Sequence, residues 1–242
     1  MATSTPNSLA VLRARLRAQA SAGDAKILQR FFKTGSGEYG EGDQFIGVRV
    51  PVTRGLLREF RGLPLADTKK LLRSPIHEER LLALLLLTDA YERGSEAVQE
   101  KIFRLYLANT RFINNWDLVD TSAPGIVGRH LATRPREILF KLVRSADLWE
   151  RRIAVLATFH FIRRGEFAEI LQFADILLTD RHDLMHKAVG WMLRETGKRD
   201  VMVLRKFLGL HAHRMPRTML RYAIEKLSTA ERQRWLAAGK LK

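Results

Sequence analysis

Cysteine is absent from the 242 residues, which removes disulfides and thiolate metal ligands and excludes a small secreted fold held by bridges. No apolar run approaches the roughly 18 residues of a membrane span. The polar opening at residues 1–7 is not followed by a signal-peptide pattern, so the chain is expected in the cytoplasm. Acidic side chains are scarce beside basic ones: 26 Asp and Glu stand against 42 Lys and Arg, for a net charge of +16. Such an excess makes a broad positive potential suited to a polyanion, although a ribosome-associated or merely cationic protein shows the same balance. With 46% hydrophobic residues the chain can bury a substantial core, which excludes disorder as an overall description.

Apolar residues recur at helical spacing behind Ser8, with Leu9, Leu12 and Leu16 on one face. A second helix is predicted from a cap at Asp24 through Lys33. Residues 34–43 (TGSGEYGEGD) form the one glycine-dense segment and read as a loop. Short amphipathic helices then follow at 51–60, 64–73, 75–93, 96–108, 115–131, 135–143, 147–164, 167–178, 182–196, 200–212 and 216–226, with no convincing strand pair. The segments at 79–94, 150–166 and 186–200 look like one half-unit recurring near the period of helical-hairpin repeats. Hairpins of that kind bury their apolar faces by stacking. The expected fold is therefore all-α, a HEAT-like helical-repeat solenoid with a concave basic face, in preference to an irregular bundle. Residues 1–242 are read as a single domain, with 1–7 expected to be disordered.

Four strings could carry chemistry. In FINNWDLVD (112–120), Trp116 and Asp120 stand at i and i+4 on one helical face while Asp117 points elsewhere. That face offers a flat apolar ring beside a carboxylate, though a core Trp116 with Asp120 as a cap or ion-pair partner fits the same string. In LWERRIAV (148–155), one of two arginines must lie toward the buried side. Arg151 is assigned to a solvated face, and Arg152, if buried, needs an anion such as Asp120 or a phosphate. In KAVGWMLRE (187–195), Lys187, Trp191 and Arg194 fall on one face as a platform for phosphate and sugar, with surface pairing of Lys187 to nearby acids as the competing explanation. Around Pro216, Arg214, Arg217 and Arg221 make a basic stripe, a pattern that is usually only a solvated face.

Two further patterns are set aside. His211 and His213 have HxH spacing but no carboxylate or thiol cluster beside them, so no metal site is expected. The glycine-rich loop lacks a GK[ST] ending and carries Glu38, Glu41 and Asp43, whose charges repel phosphate.

Taken together and in this order, NWDLVD (115–120), WERR (149–152), KAVGWMLRE (187–195) and RTMLRYAIEKL (217–227) resemble the HEAT-like-repeat DNA alkylation-repair glycosylases, over about 31–227. The resemblance implies excision of cationic alkylpurines such as 3-methyladenine and 7-methylguanine from double-stranded DNA, by a monomer without metal or organic cofactor. It makes Asp120 the catalytic carboxylate, Trp116 and Trp191 the lining of the lesion site, and Arg152 the active-site arginine. Arg194 matches a nearby basic contact, and Lys187, Arg214, Arg217 and Arg221 are the further DNA-binding candidates. The N-terminal aromatic of the site stays open among Phe31, Phe32 and Tyr39. The chemistry is consistent: a purine alkylated at N3 or N7 leaves as a neutral base, so the positive charge that develops on the sugar is what a carboxylate must stabilise. A non-catalytic helical-repeat protein that binds branched or damaged DNA, and a solenoid scaffold for an acidic protein, are the alternatives.

Overall fold

The computed structural model describes residues 8–238; the segment 1–7, for which disorder is expected, lies outside the described residues. Among the described residues the chain is helical throughout: α1 (Leu9–Arg17), α2 (Ala22–Phe31), α3 (Val50–Glu59), α4 (Leu65–Leu72), α5 (His77–Arg93), α6 (Glu96–Leu107), α7 (Trp116–Ser122), α8 (Glu137–Leu142), α9 (Leu148–Arg163), α10 (Ala168–Ile176), α11 (Asp183–Arg199), α12 (Val201–His211), α13 (Arg217–Ala223) and α14 (Thr229–Ala238). One isolated bridge joins Gln44 and Ile76, and there is no strand among the described residues. None of these helices is long and apolar enough to cross a membrane.

Side chains that accept backbone N–H bonds set many of the helix starts. Ser8 Oγ accepts from Val11, and Asp147 accepts from Trp149 and Glu150. Asp200 does the same for Met202 and Val203, so each satisfies amides that a helix leaves unpaired. The predicted cap at Asp24 is corrected: Ser21 caps α2, and Asp24, inside the first turn, pairs with Arg49 at 2.6 Å. The predicted helix 115–131 is broken as well. Pro124 has no N–H to give the preceding turn, and the chain passes through a π turn at Pro124–Gly128 and a 3-10 turn at Leu131–Thr133. The helix α14 was not foreseen.

The chain divides into two compact units, Met1–Ile126 and Val127–Lys242. In the first, α5 is the central element and packs against α3, α4, α6 and α7. Every residue from His77 to Leu87 is buried, which is possible only for a helix covered on all sides. In the second, α9 packs on α8, α10 and α11, and α11 packs on α12 and α13. The recurring half-unit segments of the sequence thus fall on α5, α9 and α11. Gly190 lets α13 approach α11 closely, because a Cβ there would lie 2.5 Å from the Met219 carbonyl oxygen. Each fully buried leucine or isoleucine contributes about 1.5–3 kcal/mol, so the buried faces of these helices stabilise each unit from within.

Candidate functional site

In the first unit, the start of α5 is the only stretch of four consecutive polar residues, His77 to Arg80, that is buried among the described residues. Each has a partner. His77 lies between two carboxylates, with Nδ1 3.0 Å from Asp43 Oδ2 and Nε2 2.8 Å from Asp117 Oδ2. Arg80 donates to Asp43 Oδ1 at 2.6 Å, and Asn115 donates to Asp43 Oδ2 at 3.3 Å. Burial disfavours the charged imidazolium, but the hydrogen bond and charge of Asp117, with the hydrogen bond of Asp43, outweigh it and raise the His77 pKa above its ordinary 6.5. Burial likewise works against ionised Asp43, yet the His77 hydrogen bond and the Arg80 charge bring its pKa below 3.8. Glu78 accepts backbone N–H bonds from Ile46, Gly47 and Val48, the shortest being 2.8 Å from Gly47. Glu79 takes Arg13 at 2.9 Å.

On this polar base sits a ring cluster. Phe45 stacks on His77 with centroids 4.4 Å apart, Phe32 stacks on Phe45 at 5.0 Å, and Trp116 stacks on Phe32 at 5.3 Å. Phe31 meets the Trp116 edge at 6.0 Å. It is 61% exposed and borders a groove of about 440 Å³ with Lys26, Ile27 and Arg30. Of the three open N-terminal aromatics, Phe31 and Phe32 therefore both reach Trp116. Tyr39 is half-buried and its hydroxyl donates to the Phe31 carbonyl at 3.5 Å.

Trp116 begins α7, where Asn115 caps its amide at 2.9 Å. Asp120, one turn on, is half-buried, and its charge adds to the burial that raises the Tyr106 phenol pKa beneath α7. Asp117 faces away from that pair and toward His77, as the helical spacing requires.

The remaining candidates belong to the second unit. Arg152 is buried on α9, and Nη1 donates to the Leu184 carbonyl at 2.7 Å. Its neighbour Arg151, assigned above to a solvated face, is corrected: it reaches Asp180 at 2.8 Å and the carbonyls of Ser145 and Ala146. The distribution of carbonyl acceptors before α9 draws it inward. On α11, Trp191 is half-buried, donates to Glu195 at 3.2 Å and lies 5.8 Å from the Phe159 ring. Lys187 pairs with Asp183 at 2.7 Å, and Arg194 pairs with Glu225, just past the end of α13, and with Glu195. Arg217 donates to the Leu236 carbonyl at 2.9 Å, Arg214 lies 3.6 Å from Asp175, and Arg221 is exposed. Among the described residues no cluster of three or more His, Asp or Glu side chains could hold a metal ion.

A sequence profile for the DNA alkylation repair enzyme family matches residues 12–227. The chain belongs to that family. Its role is accordingly enzymatic, in the repair of alkylated DNA, with DNA as its partner. A predicted DNA alkylation repair enzyme from Enterococcus faecalis has the same fold, with a TM-score of 0.68 at 16% identity, over 87% of this chain and 98% of that one. No curated protein sequence matches significantly.

For a DNA alkylation repair enzyme, the polar base under Trp116 is what the sequence reading missed. Asp43 reads in the sequence as one more loop acid, and nothing there singles out His77. A signal was present: HEER occupies four successive positions, which point around the whole helix, directly before an apolar run. At least one of them had to be buried and paired.

Proposed function

We propose that this DNA alkylation repair enzyme is a monofunctional glycosylase. It hydrolyses the bond between deoxyribose and a cationic alkylated purine, 3-methyladenine or 7-methylguanine, in duplex DNA. The observation that carries the reading is α7, which presents a half-buried carboxylate, Asp120, one turn from an indole fixed by two phenylalanines. In the reaction the C1′–N bond breaks and its electron pair returns to the ring, discharging the base. Water then bonds to C1′ and gives up one proton, leaving an abasic site for base excision repair. Because the base departs neutral, no general acid is needed.

Asp120 stabilises the sugar cation. Two unit charges about 4 Å apart attract by roughly 4 kcal/mol at an effective dielectric of 20, close to a thousandfold in rate. Trp116 adds cation–π attraction of about 0.5–2 kcal/mol to the charged nucleotide, and its contacts with Phe31 and Phe32 hold the ring ready. To Trp191 and Arg152 we assign the second aromatic and the cationic contact that the family resemblance gives them. Lys187, Arg194, Arg214, Arg217 and Arg221 supply phosphate contacts, with the enzyme acting as a cytoplasmic monomer. The test is single-turnover release of 7-methylguanine by Asp120→Asn. The expected result is a loss of about a thousandfold with duplex affinity within a few-fold. Full activity removes Asp120 from the mechanism, and a wild-type protein that binds methylated DNA without freeing base is a non-catalytic binder.

A further inference from the structure

The arginines assigned to DNA contacts under the proposed function, Arg152, Arg194, Arg214, Arg217 and Arg221, all lie in the second unit. The first unit has a recess of about 320 Å³ lined by Arg73, Ser74, Arg80, Arg111, Phe112 and Asn114, with Glu41 and Asp43 on its loop side. Two of its arginines are placed for a ligand. The Arg111 guanidinium lies over the Phe112 ring, 4.6 Å from the centroid, and that of Arg73 lies 5.6 Å from the same centroid. Arg73 is further fixed by a 2.8 Å bond from Nε to Asn109 Oδ1, and Asn109 is buried and tied to the Leu105 carbonyl at 2.7 Å. Neither Arg73 nor Arg111 is matched with a carboxylate among the described residues, in a protein where many arginines have one. Their terminal amino groups remain available on guanidiniums that are already positioned, the arrangement that loses least on binding a tetrahedral oxyanion.

The two acids of the recess do not cancel this charge. Asp43 is neutralised internally by Arg80 and His77. Glu41 folds back on its own loop, where its carboxylate accepts the Gly37 amide at 2.8 Å. The repulsion expected from these side chains in the sequence therefore falls away at Asp43 and is reduced at Glu41. Arg80 Nε and Asn114 Oδ1, both in the lining, are buried without a partner. The wall is thus polar and incompletely satisfied.

We propose that this recess is a phosphate site, gripping a backbone phosphodiester of the DNA duplex between Arg73 and Arg111. The inference rests on DNA as partner, not on base excision, and the two can fail separately. The test measures binding of an unmodified duplex by fluorescence anisotropy across a salt series, for wild type, Arg73→Gln with Arg111→Gln, and Arg73→Lys with Arg111→Lys. Melting with inorganic phosphate against chloride at equal ionic strength runs in parallel. The glutamine pair should reduce the slope of log K against log salt by up to about 1.8, and affinity on the order of tenfold, while the lysine pair keeps most of the slope. Phosphate should raise the melting temperature of wild type and not of the glutamine pair. A phosphate effect with an unchanged slope keeps the pocket but makes a free phosphate its occupant, overturning the duplex contact. An unchanged slope without a phosphate effect overturns the site altogether. Should the glutamine pair melt well below wild type, the single Arg73→Gln variant, which leaves the Arg111 stack in place, carries the same test at half the slope change.

Discussion

In the first unit His77 and Arg80 are buried with Asp43 under the Trp116 ring cluster, and His77 also meets the half-buried Asp117. In the second, Arg136, Arg194 and Arg205 meet Glu166, Glu225 and Glu231 closer to solvent. The same residue types do different work. Buried pairs fix geometry and lose heavily if one member is removed, whereas exposed pairs contribute little. Much of the basic excess in the second unit is also already engaged: Lys187, Arg194 and Arg217 each have an internal acceptor. Net charge alone therefore overstates the cations ready for phosphate.

The largest effect that would sharpen this contrast is expected for Glu78→Ala. It strips three backbone amides of their acceptor and should cost at least about 3 kcal/mol, read as a lower denaturation midpoint. A loss below 1 kcal/mol would break the contrast. Next comes His77→Gln. Since the folded pKa of His77 is raised above 6.5, the stability it contributes is complete below about pH 6.5 and is lost as pH rises through the higher folded value. Asp43, with a lowered pKa, works in the opposite range: its contribution is present above pH 3.8 and declines as acid protonates it below that. Melting scans between pH 6 and 9 should show wild type declining and His77→Gln nearly flat, with a deficit of about 1–3 kcal/mol at the acid end.

On the glycosylase reading proposed above, Trp116→Ala should slow release of 7-methylguanine about 2- to 30-fold, the worth of one cation–π contact; single-turnover rates check it, and Trp116→Phe should recover part of the loss. The smallest effect is expected for Arg205→Ala in the second unit, whose exposed pair with Glu231 should shift the melting temperature by no more than about 3 °C. A larger shift there would erase the distinction between the units. In salt titrations of duplex binding, Arg221→Ala should lower the slope by up to about 0.9, and Arg217→Ala by less, because Arg217 already donates to Leu236.

The helices were legible because amphipathic spacing and polar caps are local properties. Expected and observed ends of α5, α6, α9 and α12 differ by at most two residues. The failures come from competition the pattern does not encode. Ser21 and Asp24 are both good caps, and only Arg49, brought near by the fold, removes Asp24 from the contest. Trp116 and Asp120 could be placed on one face from spacing alone. The partners under them could not, because Asp43 and His77 are 34 positions apart and Asp117 is 40 beyond His77. A loop acid and a first-turn histidine become a buried network only when tertiary structure brings them together.

One carboxylate also determines where this chain can tolerate change. Glu78 clasps three successive amides at 46–48, and Gly47, at φ 84°, would drive a Cβ to 2.0 Å from the Ser21 carbonyl oxygen. That short segment behaves as a hinge pin. Residues inserted around Gly37, which faces open space, would balloon outward and leave the aromatic stack undisturbed. A single residue added between Gln44 and Val48 would throw the pin out of register, so the length of the glycine-rich loop is free to drift only on its outer side.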